Sequence, residues 1–229
     1  MKAKLISFIL ALQMVAFVWA DNVWNYNVYD DCSKNGSVGI ENGYQWVDLG
    51  LPSGIKWASC NVGAEKPEDY GNYYAWGEVL PKEDCSWATY KYANGASDKL
   101  TKYCNDASKG DNGFTDNKTT LDPEDDAARV NWGGSWRMPT DAEWAELIAN
   151  CAWTWTTQNG INGFQVTSKT NSNSIFLPAN DNIDYGFYWS SSLYESIPDY
   201  AWYLRFDSDY VGRYSGDRFY GLSVRPVCL

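Results

Sequence analysis

The chain has 229 residues, with 18 Lys and Arg against 29 Asp and Glu, and a net charge of −11 at pH 7. An acidic chain is repelled by phosphate backbones, so nucleic acid is excluded as a predicted partner. The absence of histidine excludes Ser-His and Cys-His catalysis and every histidine-ligated metal site.

The amino terminus has the pattern of an export signal. Two lysines precede an apolar run that ends at Ala20, before Asp21, which predicts a signal peptide cleaved after Ala20. A membrane anchor, the alternative, needs a longer apolar span. We therefore expect an exported chain (periplasmic, cell-surface or secreted) without a membrane span after cleavage. The predicted organisation is a signal peptide over residues 1–20, a polar leader over 21–42 and one domain over 43–229.

The first predicted elements of the domain are a hairpin and a loop. An extended segment Tyr44–Leu49, a Leu-Pro-Ser-Gly turn and a second extended segment Ile55–Cys60 are typical of a hairpin. Lys91–Thr115 is rich in Gly, Asn, Asp and Ser, which predicts a long surface loop.

An acidic run begins the first predicted helix. Asp122 is placed to cap it, Pro123 fits its first position, and the acids that follow favour its positive end. Clustered carboxylates also suit a calcium ion. We favour the helix start, and predict no metal and no cofactor.

A capping box begins the second predicted helix. Thr140 can accept a hydrogen bond from the backbone of Glu143, whose side chain reaches back. The helix carries one apolar stripe at positions i, i+3, i+4 and i+7, made of Trp144, Leu147, Ile148 and Cys151.

The chain after Cys151 consists of short extended segments separated by Asn/Gly and polar turns. Apolar and polar residues alternate in CAWTWTTQ, GFQVTS and SIFLPA, and three further segments are GFYWSSSLY, YAWYLRFDSDY and YGLSVRPVCL. Two short helices with many short, mainly antiparallel strands predict an α+β domain.

Six cysteines survive the predicted cleavage, namely Cys32, Cys60, Cys85, Cys104, Cys151 and Cys228. An even number in an exported chain favours disulfides, with buried free thiols as the alternative. Cys60 and Cys151 both end elements that face the core, so we expect them to lie close together, as a disulfide or as packed thiols. A Cys85–Cys104 bond is a second expected pair.

Several ordered blocks of the sequence resemble known families. RMPTDAEW (137–144) is similar to the helix start of the formylglycine-generating sulfatase-modifying family, which has a C-type-lectin-like fold. The blocks VDLGLPSGIKWASCNVGA, YGNYYAWGE, DDAARVNWGGSWRMPTDAEW, WTWTTQNGINGF, YWSSS and GLSVRPV resemble the Fibrobacter succinogenes major paralogous domain family over residues 43–227. The resemblance implies a C-type-lectin-like fold and export, and no assigned chemistry.

The functional residues of those relatives are missing at the matching positions. The sulfatase-modifying enzymes use a redox cysteine pair near the carboxy terminus, where this chain has only Cys228. Calcium-dependent lectins chelate the ion through side chains on both sides of a proline, but at Ile197-Pro198-Asp199 the isoleucine offers no oxygen. Asp199, Asp207, Asp209 and Asp217 are predicted to be solvated turn residues. An enzyme of the sulfatase-modifying type is therefore the less favoured alternative.

Residues 185–220 are rich in Tyr, Ser, Gly, Asp and Arg. This is the composition of binding surfaces, because Tyr gives a large contact area at low entropic cost, although β-propensity alone also favours Tyr and Trp in strands. The predicted ligand-binding residues are Tyr188, Tyr194, Tyr200, Tyr203, Arg205, Tyr210, Arg213, Tyr214 and Tyr220. Lectin-fold proteins diversified by retroelements carry their variable residues in a similar place.

Taken with the predicted export, this composition predicts a non-enzymatic binding module whose Tyr-rich surface docks a protein or a glycan. A structural subunit of a surface assembly is another alternative.

Overall fold

A computed structural model describes residues 37–180 and 184–229. The predicted signal peptide and residues 21–36 of the predicted leader lie outside this range. Within it, no helix is both long and apolar enough to cross a membrane.

Residues 37–180 and 184–229 contain ten strands and two α-helices. In chain order these are β1 (Val38–Glu41), β2 (Tyr44–Val47), β3 (Lys56–Ala58), α1 (Ala127–Trp132), α2 (Asp141–Asn150), β4 (Cys151–Gln158), β5 (Ile161–Ser168), β6 (Ser174–Pro178), β7 (Gly186–Leu193), β8 (Tyr200–Asp207), β9 (Tyr210–Asp217) and β10 (Val227–Cys228). The strands form sheet 1 (order β1-β2-β3-β10), sheet 2 (β4-β5-β6) and sheet 3 (β7-β8-β9). Every strand pair in these sheets is antiparallel, which confirms the α+β class.

The first strand begins within the segment predicted as a leader. β1 lies within residues 21–42 and pairs with β2, so that Val38 faces Val47. The two strands are joined by Asn42 and Gly43, both with positive φ (46° and 87°). Asn-Gly is the preferred pair for a tight hairpin turn because both residues tolerate that backbone region. The ordered sheet therefore begins before residue 43.

The acidic run forms two elements rather than one helix. Pro123–Asp125 is a single 3₁₀ turn, and Asp122 makes no side-chain capping bond there. The helix α1 is capped instead by Asp126, whose carboxylate accepts from the backbone of Arg129. The predicted cap was therefore placed four residues early, because any of the consecutive acids satisfies the sequence pattern.

The second helix is confirmed with its capping box. The Thr140 hydroxyl accepts from the Glu143 backbone at 3.2 Å, and the Thr140 backbone donates to the Glu143 carboxylate at 2.7 Å. Trp144 and Leu147 are fully buried, and Cys151 is buried just beyond the helix. The apolar stripe faces the core as predicted.

The segment Lys91–Thr115 is irregular, as predicted, but it is not only a surface loop. Its buried side chains are Tyr92, Leu100, Tyr103 and Cys104. Leu100 forms isolated bridges with Ala93 and Gly110. These buried side chains are separated by polar residues, which explains why the composition of the segment predicted a fully exposed loop.

The core consists of two hydrophobic clusters. One lies under the long connections and includes Trp76, Trp136 and Trp189. The other joins α2 to the three sheets and includes Trp57, Trp144, Phe164, Phe206 and Val227.

Within the described part of the chain, two arginines are completely buried and have no carboxylate partner. Arg225 donates to Asn61 Oδ1 and to the carbonyl oxygens of Ala58, Ser59 and Phe176, at 2.7–2.9 Å. Arg218 donates to the Tyr90 hydroxyl and to three carbonyl oxygens, those of Tyr103, Pro198 and Lys102. Their fork-shaped donors tie loops to strands that are distant in sequence.

No disulfide joins the described cysteines, so of the two predicted alternatives the structure agrees with free thiols. Cys60, Cys85, Cys104, Cys151 and Cys228 are all free thiols. Cys151 is buried in the cluster around Trp144, whereas Cys60 is only half-buried and belongs to neither cluster. Cys60 follows the last residue of β3 by two positions, so the strand ends before the residue that we expected at its end. Cys32 lies outside the described residues.

Candidate ligand-binding face

Sheet 3 has one face toward helix α2 and one face away from it. Along β8, Leu204 and Phe206 are fully buried, whereas Tyr203 and Arg205 are half-buried. Alternation along a strand sends these two pairs to opposite sides. Arg213 lies directly across from Leu204 and forms an ion pair with Asp141 of α2, which identifies the helix side.

The side away from α2 carries a continuous group of aromatic rings around one arginine. Tyr203 pairs with Tyr214 across the strands, and Arg205 lies between Phe187 and Gly212. We call this surface the Tyr–Arg face, defined by Tyr185, Phe187, Tyr203, Arg205, Tyr210, Tyr214 and Tyr220.

Arg205 is held between two tyrosine rings. Its guanidinium carbon lies 4.9 Å from the ring centre of Tyr185 and 5.2 Å from that of Tyr214. Both distances are within the range of a cation–π contact. Asp207 is its only charged neighbour in the described chain at 4.0 Å or less, at 3.5 Å.

The outer tyrosines of the face are partly exposed. Tyr210 is 51% exposed and Tyr220 is 45% exposed. The Tyr210 and Tyr214 rings lie 6.2 Å apart, and a hydrogen bond between their hydroxyls is the main cause that raises the pKa of Tyr210. The pKa of Tyr203 is raised mainly by burial, so this ring forms the inner part of the face.

Two glycines of β9 make room for these rings. A Cβ atom at Gly212 would lie 2.5 Å from the Tyr210 hydroxyl, and one at Gly216 would lie 3.1 Å from the Tyr203 ring. Both positions are on the same side as Arg205 and Tyr203. The tyrosines therefore pack directly on the backbone of β9.

The structure brings together only part of the predicted site. Tyr203, Arg205, Tyr210, Tyr214 and Tyr220 belong to the Tyr–Arg face. Tyr200, the first residue of β8, alternates to the same side as Leu204, the helix side, although it interacts electrostatically with Tyr203 and Tyr220.

Three further predicted residues lie elsewhere, and this corrects the predicted set. Tyr188 is 1% exposed, and its hydroxyl donates to the Pro178 carbonyl at 2.7 Å, so it is a core residue. Tyr194 packs edge-on against Trp202, and Arg213 lies over the same ring, on the helix side. The Tyr-rich composition gave no information on which side of the pleat each residue occupies.

Sequence reasoning missed two members of the face, Tyr185 and Phe187. Their rings stack at 6.0 Å, and Phe187 lies opposite Arg205. Neighbouring residues of GFYWSSSLY face opposite sides of the strand, so Phe187 and the buried Tyr188 lie on different sides. This alternation was the sequence evidence that could have placed Phe187 on the face.

The acidic cluster considered for calcium is occupied by lysine. Oxygen atoms of Asp122, Glu124 and Asp125 lie within 4.8 Å of one another. The Lys102 ammonium lies 2.7 Å from Asp122 and 2.6 Å from Asp125, where a cation would sit. This contact favours a structural ion-pair network over a metal site.

Asp125 is the centre of that network. It accepts from the Tyr103 hydroxyl at 2.6 Å, from the Tyr92 hydroxyl, and from Lys91 and Lys102. Burial raises the pKa of Asp125, but the hydrogen bonds from Lys102, Tyr103 and Tyr92 outweigh burial and lower this pKa to about 2.

We expect Asp125→Asn to destabilise the domain by about 1.5–3 kcal/mol at neutral pH, because it removes charge-assisted hydrogen bonds. The folded-state pKa is lower than the value of about 3.9 for an unfolded aspartate. The carboxylate therefore stabilises the fold above about pH 4, and this stabilisation is lost as pH falls toward 2. Denaturant unfolding at pH 7 and pH 3 measures the difference between wild type and variant, which should shrink in acid. A difference that does not change with pH would contradict the assignment.

The four carboxylates predicted as solvated turn residues differ from one another. Asp207 and Asp209 lie in or next to the β8–β9 turn, as expected. Asp199, in contrast, is only 5% exposed and pairs with Lys109 at 3.1 Å. Burial, with a contribution from Asp199, raises the pKa of Asp217. Because Asp199 already has a lysine partner, these residues do not form an isolated acid–base pair.

The buried thiols show no activation. Burial is the main cause that raises the pKa of Cys85, Cys104, Cys151 and Cys228. A nucleophilic or redox cysteine needs the opposite shift. These four residues therefore give no support to thiolate chemistry.

A groove with a mixed polar and apolar lining crosses sheets 1 and 2. Gln45, Ser59 and Pro67 line both of its parts, which have cavity volumes of about 290 Å³ and 440 Å³. Some of its amide and hydroxyl groups bond to one another or to the adjoining chain, as in the Gln165–Ser174 and Gln158–Glu68 pairs. The groove is larger than any opening at the Tyr–Arg face, but it has no comparable concentration of aromatic rings around a charge.

Comparisons of the chain with known protein families, with characterised proteins and with solved structures find no match.

Proposed function

We propose that this chain is an exported, non-enzymatic binding module that presents the Tyr–Arg face to a protein or glycan ligand. The observation that carries the proposal is the convergence of five tyrosines, one phenylalanine and Arg205 on one side of sheet 3, around a guanidinium in contact with two of the rings. Tyrosine and arginine are enriched among residues that dominate binding energy.

The face rests on the core and extends to the surface, which suits passive binding. Tyr203 packs against the core cluster that contains Trp189, whereas Tyr210 and Tyr220 contribute exposed ring surface. Strands fixed by pairing on both sides hold the tyrosines of β8 in place before a ligand arrives. Preorganisation of this kind reduces the entropic cost of binding.

The C-type-lectin-like fold and the relationship to the Fibrobacter succinogenes major paralogous domain family are part of the proposal. They rest on the sequence blocks from VDLGLPSGIKWASCNVGA to GLSVRPV. A diversified gene is a further element of it, and a neighbouring template repeat with a reverse transcriptase would support it.

The test is the double variant Tyr210→Ser/Tyr214→Ser, assayed beside wild type on a glycan array and in pull-downs from neighbouring cells. We expect loss of ligand capture, because aromatic residues at the centre of an interface contribute about 2 kcal/mol or more each. Tyr214 is half-buried and contacts Arg205, so the free energy of unfolding should fall by about 1–2 kcal/mol.

The matched control is Tyr194→Ser, which removes a tyrosine from the helix side of the same sheet. This variant should keep its ligand. Equal capture by wild type and the double variant would remove the Tyr–Arg face as the binding surface. Collapse of the double variant's fold would show that these tyrosines belong to the core.

A further inference from the structure

We propose that the ligand of the Tyr–Arg face is a glycan that carries a carboxylate, and that Arg205 pairs with this carboxylate. The inference rests on the proposed function and adds the chemical class of the ligand. We infer the carboxylate from which arginines near the face already have partners within the protein. We infer the sugar from the size and shape of the group of rings.

Arg205 is the positive charge of this region with the weakest internal partner. Residues 184–229 contain four arginines and no lysine. Arg213 forms a short ion pair with Asp141 on the helix side. Arg218 and Arg225 are completely buried and donate to oxygen atoms of the core. A negatively charged ligand at sheet 3 therefore meets Arg205.

The contact between Arg205 and Asp207 is long, so a ligand carboxylate can form a shorter and stronger hydrogen bond with Arg205. Its length is 3.5 Å, whereas charge-assisted hydrogen bonds between arginine and carboxylate are about 2.7–2.9 Å long. The other oxygen of Asp207 accepts from the Asp209 backbone at 3.1 Å, which keeps Asp207 in its turn. The Tyr185 and Tyr214 rings contact the guanidinium, so a ligand carboxylate meets a positive charge whose position is already restricted.

The arrangement of rings favours a sugar acid over a protein. The Tyr185 and Tyr214 ring centres lie within 5.2 Å of the guanidinium carbon. A sugar acid carries its carboxylate on or next to a ring of similar size, whose C–H groups stack on aromatic faces. The face consists of seven side chains, while a stable protein interface needs about 20–30 residues on each side. One or two sugar residues match this area.

The experiment compares the purified full chain with Arg205→Met and Arg213→Met on an array with five classes of probe. These are hexuronate oligosaccharides, sialylated oligosaccharides, sulfated oligosaccharides, neutral oligosaccharides and acidic peptides. The hexuronates are printed both as free acids and as methyl esters, which keep the sugar and remove the charge. The hexuronate and sialylated arms distinguish the two sources of a sugar carboxylate.

We expect binding to one carboxylate-bearing glycan, with an affinity about 10- to 100-fold lower for Arg205→Met. Arg213→Met should bind like wild type, and esterification should weaken binding of a hexuronate as much as the loss of Arg205. Binding confined to sulfated or neutral glycans, binding to acidic peptides only, or full retention by Arg205→Met would each overturn the inference. If Tyr210→Ser/Tyr214→Ser abolishes capture of a ligand that Arg205→Met still binds, the proposed function stands and only the carboxylate assignment falls.

Discussion

Replacing Arg225 with methionine should lower the free energy of unfolding by about 4 kcal/mol or more. Four buried acceptors lose their donor, namely Asn61 Oδ1 and three carbonyl oxygens. Each unpaired buried acceptor costs about 1–3 kcal/mol, and removal of a desolvated charge offsets part of that sum. A domain of this size has a total stability of about 5–15 kcal/mol, so the Tm should fall by roughly 10 °C or the chain should fail to fold.

Arg225→Lys is the control that separates charge from geometry. Lysine keeps the positive charge but supplies three donors from one point, and cannot span acceptors arranged around a planar fork. We expect it to recover little of the lost stability. If Arg225→Met melts at the same temperature as the wild type, measured by circular dichroism, the four hydrogen bonds contribute no net stability.

Replacing Trp144 with alanine should cost about 3–5 kcal/mol, the range for removal of a large aromatic side chain from a core. The indole is fully buried. It lies 4.6 Å from the Trp57 ring and 6.1 Å from the Tyr188 ring. Its Nε1 donates to the Trp189 carbonyl at 3.3 Å. The loss therefore leaves a cavity where α2 meets sheets 1 and 3.

Trp144→Phe and Ile148→Ala are the comparisons for this position. Phenylalanine keeps an aromatic ring and loses the single hydrogen bond, so its cost should be smaller than that of alanine. Ile148 lies on the same helix but is only half-buried, and its truncation should also cost less. An unchanged melting curve for Trp144→Ala, with the protein still folded, would contradict the packing described here.

Local sequence patterns predicted the elements well where one physical rule determined the outcome. The capping box of Thr140 and Glu143 defines the start of α2, and CAWTWTTQ matches β4 residue for residue. The hairpin of β1 and β2 was missed, although Asn42-Gly43 is its clearest indicator. Its strands are short and its outer residues, such as Ile40, are exposed. The sequence pattern also did not determine which acid of the run caps the helix. We predicted Asp122, whereas Asp126 caps α1.

The site could be predicted in composition but not in arrangement. Alternation shows that neighbours on a strand face opposite ways, but both sides of β8 carry large aromatic residues, Trp202 and Tyr203. Which side faces α2 depends on where the helix packs, and that contact joins residues distant in sequence, such as Asp141 and Arg213. For the same reason, Arg218 and Arg225 gave no sign in the sequence that they are buried while Arg205 is not.

The central claim is that ligand binds on the side of sheet 3 away from α2. Hydroxyl-radical footprinting with mass spectrometry, with and without the captured ligand, tests its location directly. We predict protection of the peptides that contain Tyr203, Tyr210 and Tyr214, and unchanged labelling of the exposed Leu80 and Val130, which lie outside the face. Unchanged labelling of those tyrosines, with protection elsewhere in the chain, would contradict the account.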